Sequence, residues 1–76
     1  MSQDIEKIKV IQKNNGEIEI IGNRAGLKYL ANICNSLSEL SNEEIETVAN
    51  HYHIADYMNN AEEGSIPLII LFNPNL

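Results

Sequence analysis

The chain has 76 residues, a mass of 8.5 kDa and a formal charge of −6 at pH 7. This length fits one small domain, residues 1–76, with a marginal core, and a hydrophobic share of 43% is typical of a folded protein. One cysteine excludes a disulfide framework. The sequence has neither a long apolar run nor the N-terminal pattern of a signal peptide, so we expect a cytoplasmic protein.

Charge is unevenly distributed along the chain. All five basic residues lie within residues 7–28, whereas residues 29–76 contain seven acidic residues and no Lys or Arg. Such a field repels nucleic acid and anionic lipid but attracts a basic protein. We therefore expect no nucleic-acid or membrane partner. The charge either serves recognition or only keeps the protein soluble.

The first predicted element is a β-hairpin. Residues 5–13 and 17–21 have the pattern of strands joined by an Asn-Asn-Gly turn. A two-residue turn would split the apolar side chains between both faces, whereas a three-residue turn with a left-handed Gly16 pairs Lys13 with Glu17. We favour the second register, because it groups four apolar side chains on one face: Ile8, Val10, Ile18 and Ile20.

A helix is predicted over residues 24–40, after Asn23 as N-cap. Gly26 in its first turn indicates a close approach to the sheet. Cys34 lies in the predicted apolar stripe, so we expect it to be buried and unreactive. The stripe consists of Leu27, Leu30, Ala31, Cys34 and Leu37, with Ile33 and Leu40 at its border.

The second half of the chain contains one ambiguous segment and two predicted strands. Residues 41–50 begin with a capping-box sequence and form either a short helix or a loop. Residues 51–54 and 65–72 predict strands, separated by a loop over residues 56–64. The pattern ββαββ predicts an α+β fold, in which one main helix packs on one face of a four-stranded antiparallel sheet of order 2-1-3-4.

The predicted last strand is apolar on both faces. Ile69 and Leu71 point away from the helix, on the side that also carries Ile11 and Ile21. Either a partner covers this outer face or the apolar surface is tolerated. Because the core is small, we favour a partner or self-association, for example a homodimer formed through this face.

Two histidines are the main candidates for site chemistry. His51 and His53 lie two residues apart, so they point to one side of their strand. Without a fixed third ligand they are a weak metal signal, and we assign no metal or cofactor. We expect them at the surface or in contact with a partner. No nucleophile–base arrangement is evident, so we do not expect an enzyme.

Three motifs resemble the immunity protein 32 family of bacterial polymorphic toxin systems: Gly22-Asn23-Arg24-x-Gly26-Leu27-x-x-Leu30-Ala31, His51-Tyr52-His53-Ile54 and Glu63-Gly64-Ser65-x-x-Leu68. The resemblance covers roughly residues 17–72. It implies a small α+β protein, encoded beside a toxin that it neutralises. The family's toxin-contacting residues cannot be transferred to this chain.

The resemblance and the charge together indicate a cytoplasmic immunity protein that binds a basic toxin directly and non-covalently. Many bacterial toxin domains are basic nucleases, and an acidic inhibitor mimics the phosphates that they bind. The predicted contact residues are Glu43, Glu44, Glu46, His51, His53, Asp56, Glu62 and Glu63. The alternative is an oligomer that binds or sequesters a nucleotide-like anion through Arg24, Lys28, the helix N-terminus and the histidine pair.

Overall fold

A computed structural model describes residues 5–76; residues 1–4, part of the segment used to predict the absence of a signal peptide, lie outside it. The fold is α+β, with two hairpins and one main helix. No helix within residues 5–76 is long and apolar enough to cross a membrane. The elements are β1 (Ile8–Gln12), β2 (Ile18–Gly22), α1 (Arg24–Ser38), α2 (Asn42–Ile45), β3 (His51–Ile54) and β4 (Leu68–Leu71), with single 3₁₀ turns at Val48–Asn50 and Asp56–Met58.

The first hairpin confirms the three-residue turn. β1 and β2 are antiparallel, with Val10 opposite Ile20. The Lys13 amide donates to the Glu17 carbonyl oxygen at 2.7 Å, and Gly16 has a φ of 92°, a left-handed value that glycine tolerates. The Lys13 ammonium lies 3.7 Å from the Glu17 carboxylate and 3.6 Å from that of Glu19. The predicted register and its charge pairs are therefore present.

The strands form two two-stranded sheets, β1–β2 and β3–β4, in place of the predicted single four-stranded sheet of order 2-1-3-4. The segment 62–66 occupies the second edge of β1. The Glu62 amide donates to the Ile8 carbonyl oxygen at 2.7 Å, and the Ile66 amide donates to that of Val10 at 2.8 Å. Pro67 follows and has no N–H to continue this ladder, so the chain goes on to pair with β3 as β4.

Helix α1 packs across both hairpins. The core consists of Ile8, Val10, Ile33, Leu37 and Ile54. The second hairpin contributes Leu68 and Ile70, which alternate with the outward-facing Ile69 and Leu71 and pack against this cluster. The predicted α+β fold with one main helix is therefore confirmed.

The predicted stripe of α1 is partly correct, since Leu37 is buried and Leu30 packs against the core, but the buried face is rotated away from the rest of the stripe. Gly26, Ile33 and Leu37 are the buried helix residues, whereas Leu27, Ala31 and Cys34 are exposed. The cause is the contact at Gly26, where a β-carbon would overlap the Lys7 carbonyl oxygen. Because this side of the helix must be the one that meets β1, Cys34 turns to solvent.

The outer face of the second hairpin is exposed as expected, since 57% of Ile69 and 57% of Leu71 remain accessible. Ile18 and Ile20 differ from expectation. They share a face with Val10 but are 51% and 42% exposed, respectively. Strand β2 is an edge strand, and the α1 core residues pack on β1 and β3 instead.

Replacing Gly26 by alanine tests the close approach of α1 to β1. Alanine normally stabilises a helix relative to glycine, but here its methyl group would collide with backbone. We expect Gly26→Ala to lower the free energy of unfolding by about 2 kcal/mol, as overpacking does. Urea denaturation followed by circular dichroism measures this difference.

Asn35→Ala is the matched control, because Asn35 is exposed on the same helix and its side chain has no hydrogen bond among the described residues. We expect this control to change the free energy of unfolding by less than about 0.5 kcal/mol. Equal stability of the Gly26→Ala and wild-type proteins would contradict the proposed backbone contact.

Candidate functional site

Part of the predicted site forms the start of α2. The Ser41 hydroxyl accepts a hydrogen bond from the Glu44 amide, and the Glu44 carboxylate accepts one from the Ser41 amide at 3.0 Å. The ambiguous segment thus begins with a capping box and a four-residue helix. Glu43 and Glu44 lie in its first turn, where the helix dipole favours negative charge. Hydrogen bonding to Ser41, chiefly from its backbone N–H, lowers the pKa of Glu44.

Glu43, Glu44 and Glu46 form the first acidic cluster, and Asn50 fixes its position. The Asn50 side-chain amide donates to the Ile45 carbonyl oxygen at 3.1 Å. The Asn50 backbone carbonyl oxygen accepts from the Phe72 amide at 2.9 Å, just beyond β4. The first acidic cluster is therefore attached to the beginning of β3 through hydrogen bonds as well as through the chain.

Asp56, Glu62 and Glu63 form the second acidic cluster, which follows β3. The Asn60 side chain accepts from the Ala55 amide at 2.9 Å and donates to the His53 carbonyl oxygen at 2.7 Å. The Glu62 amide is bound to β1. These bonds hold the backbone of the loop, while the three carboxylates remain exposed.

The two clusters adjoin opposite ends of β3, whose four residues span roughly 13 Å. This length exceeds the Debye length of about 8 Å at physiological ionic strength. The structure therefore does not bring all the predicted acidic residues together. Substitutions in the two clusters are expected to act largely independently.

The predicted histidines lie between the clusters. His51 is opposite Leu71 and His53 is opposite Ile69, so all four share the outer face. The two imidazole rings are half-buried, with centroids 5.0 Å apart. Among residues 5–76, no group of three or more His, Cys, Asp or Glu is placed to hold a metal ion. The geometry thus gives a mixed imidazole and apolar face.

A groove lies between α1 and β3, and the sequence analysis did not predict it. It has a volume of about 230 Å³. Tyr29 and Tyr52 meet at the groove, with their hydroxyl oxygens 2.7 Å apart and their rings edge to face at a centroid distance of 6.3 Å. Burial, and then the hydrogen bond to Tyr52, raise the pKa of Tyr29, so the Tyr29 hydroxyl stays neutral at physiological pH. The groove is lined by Tyr29, Asn32, Ile33, Ser36, Leu37, Leu40, Ala49, His51 and Tyr52.

A signal for this groove was present in the sequence. Tyr29, Ile33 and Leu37 recur at intervals of four residues, a spacing that places side chains on one helix face. The preferred stripe instead began at Leu27. Only the contact at Gly26 distinguishes the two rotations, and that contact depends on tertiary structure.

The residues of the anion-binding alternative do not form a common pocket. A second pocket of about 130 Å³ lies near the start of α1. Neither Arg24 nor Lys28 lines it, whereas the acidic Glu62 does. The Asn23 side chain already accepts a hydrogen bond from the Gly26 amide at the helix N-terminus. Both pockets are below the roughly 300 Å³ of ordinary small-molecule sites.

The described features define a small α+β protein with two groups of exposed carboxylates and a short groove between α1 and β3. The model of the family described as immunity protein 32 matches residues 17–73. The chain belongs to the immunity protein 32 family, which confirms the resemblance noted in its motifs. Its role is accordingly that of an immunity protein. Comparisons with curated proteins and with solved structures gave no match.

The capping box predicts a specific acid response. Because the pKa of Glu44 is lowered in the folded state, its stabilisation of α2 is present above the ordinary carboxyl pKa. It is lost as pH falls through the lowered value. We expect an NMR titration of the Glu44 side-chain carboxyl to give a midpoint below the usual glutamate value, and Ser41→Ala to raise it.

Ser38→Ala is the control for this titration, since the Ser38 hydroxyl bonds the Asn35 carbonyl oxygen at the end of α1. It should leave the Glu44 midpoint unchanged. Loss of the Ser41 cap should also destabilise the segment locally by about 1 kcal/mol, measured by amide hydrogen exchange. A Glu44 midpoint at the usual glutamate value would argue against the capping box.

Proposed function

We propose that this protein neutralises a cognate basic toxin by direct, non-covalent binding through its two acidic clusters. One observation carries the proposal. Among residues 5–76, the ion pairs within 4.0 Å join Lys13 to Glu17 and Glu19, and no carboxylate of either cluster has such a partner. Six exposed carboxylates thus remain available to cations of another molecule.

The backbone under these carboxylates is suited to recognition. The capping box and Asn50 fix the first cluster, and Asn60 and the Glu62 amide fix the second. A fixed backbone reduces the conformational entropy lost on binding. Negative charge without internal partners also accelerates the approach of a basic protein. His51 and His53 lie between the clusters and are proposed to contact the same partner.

The immunity role itself is tested by co-expression. The toxin encoded beside this gene is expressed in bacteria with and without the wild-type protein, and growth is recorded. We expect growth to be restored and the two purified proteins to form a complex in native mass spectrometry. Continued growth arrest with both proteins present, and no complex, would contradict the proposal.

Charge reversal tests the contribution of the first acidic cluster. We expect Glu43→Lys combined with Glu46→Lys to slow association with the toxin about tenfold at low salt, because electrostatic steering is lost. The difference should shrink as salt is added. Stopped-flow or surface plasmon resonance measurements give the association rate, and Glu62→Lys with Glu63→Lys tests the second cluster in the same way.

Glu17→Lys combined with Glu19→Lys is the matched control. It changes the net charge by the same amount, but it lies on the first hairpin, where Lys13 pairs with both carboxylates. We expect a much smaller loss of association rate from this variant. Equal effects of the control and cluster variants would indicate that only net charge matters, and unchanged rates in every cluster variant would overturn the acidic-surface proposal.

A further inference from the structure

We propose that the groove between α1 and β3 receives one aromatic side chain, tryptophan or tyrosine, carried on a basic surface of the toxin. The inference rests on the proposed function and identifies a contact outside the carboxylate clusters. Apart from His51, none of the groove-lining residues belongs to the predicted contact set.

The size and lining of the groove indicate a single side chain. Ile33, Leu37 and Leu40 form an apolar surface, and the rings of Tyr29 and Tyr52 adjoin it. Its volume of about 230 Å³ lies below the roughly 300 Å³ at which ordinary small-molecule sites begin. This space suits one large side chain and is too small for a nucleotide.

The polar groups of the groove favour an aromatic side chain with a polar edge. Asn32 and Ser36 line the groove beside the apolar surface. Trp and Tyr combine an apolar ring with one N–H or O–H group that needs a partner when buried. Both are frequent at the centres of protein interfaces. Tyr29 and Tyr52 also offer ring edges and faces for aromatic packing.

The surroundings of the groove favour a basic partner. Leu40 and Ala49 both line it, and the segment between them carries the first acidic cluster. Helix α1 ends at this side of the groove and has no basic residue in its last turn. The negative end of its dipole therefore adds to the negative potential of the first acidic cluster. No Lys or Arg lines the groove.

A second copy of this chain is the less suitable occupant. Each copy has a formal charge of −6, and docking two copies at this groove would bring acidic segments towards each other. Repulsion between like charges opposes that arrangement. The charge at the groove therefore points to a basic protein.

Tryptophan fluorescence gives a direct test, because the chain contains no tryptophan. The probe is the capped peptide Lys-Lys-Trp-Lys-Lys, titrated with wild-type protein at low salt. We expect a saturable blue shift of the peptide emission. In ¹H–¹⁵N spectra, the largest shifts should occur at Leu37, Ala49 and Tyr52 rather than at Ile69 and Leu71.

Adjacent substitutions give a matched pair of variants. Ala49 lines the groove, whereas its neighbour Val48 is 86% exposed and does not. Ala49→Phe should fill the groove and weaken peptide binding at least about tenfold, corresponding to the loss of one buried aromatic ring. Val48→Phe should leave the affinity for the peptide within about twofold of the wild-type value. Ser36→Phe and Asn35→Phe form a second pair on α1, with the same expected contrast.

Four results would overturn the inference. The first is equal peptide binding by the Ala49→Phe and wild-type proteins, and the second is chemical-shift changes confined to the outer face. The third is binding of Glu-Glu-Trp-Glu-Glu as tight as that of the lysine peptide. The fourth is a wild-type homodimer that the Ala49→Phe substitution dissociates. The purified toxin separates this inference from the proposed function. Failure of wild type to bind it contradicts the proposed function, and normal binding by Ala49→Phe contradicts the groove contact alone.

Discussion

The junction at Asn23 is the constraint on which the rest of the fold depends. Its side-chain oxygen accepts from the Gly26 amide at 2.7 Å and from the Lys7 amide at 3.1 Å. Its side-chain amide donates to the Ile5 carbonyl oxygen at 2.7 Å. One side chain thus caps α1 and binds the segment that leads into β1. With Gly26 against the Lys7 carbonyl oxygen, it fixes both the position and the rotation of the helix.

A rotation fixed in this way determines which helix residues meet the second hairpin. Ile33 and Leu37 pack with Ile54, while Tyr29 reaches Tyr52. The groove follows from this arrangement, because α1 contacts β3 at its tyrosine but leaves space beside Leu40 and Ala49. The candidate binding feature is therefore a consequence of a contact at the other end of the helix.

Local features of the fold were predictable from the sequence. The three-residue turn at Gly16, the cap at Asn23, the box at Ser41 and the alternation of β4 depend on short-range rules, and the structure has all four. The sheet arrangement was not predictable in this way. It depends on the amides of Glu62, in the predicted loop, and Ile66, which bind β1 instead of β3, and on the buried Ser65 hydroxyl, which accepts from the Val10 amide at 3.2 Å.

The candidate site also combines features that the sequence predicts with features that depend on tertiary structure. Exposed carboxylates at the predicted positions follow from composition and capping, but their separation by β3 depends on the tertiary fold. The groove needs the helix rotation, which periodicity alone left open between Leu27 and Tyr29. Cys34 was misplaced for the same reason, since a change of one helix position turned it from the core to solvent.

The interactions that hold this small fold together are largely separate from those proposed to bind the toxin. Asn23, Asn50, Asn60 and Ser65 stabilise it through neutral side chain-to-backbone hydrogen bonds. Of the six cluster carboxylates, only that of Glu44 has a capping role. The others can change in number and position at little cost to folding, because exposed charges contribute little to stability. A chain built in this way can alter its complementarity to a toxin while the groove and the helix rotation that creates it stay the same.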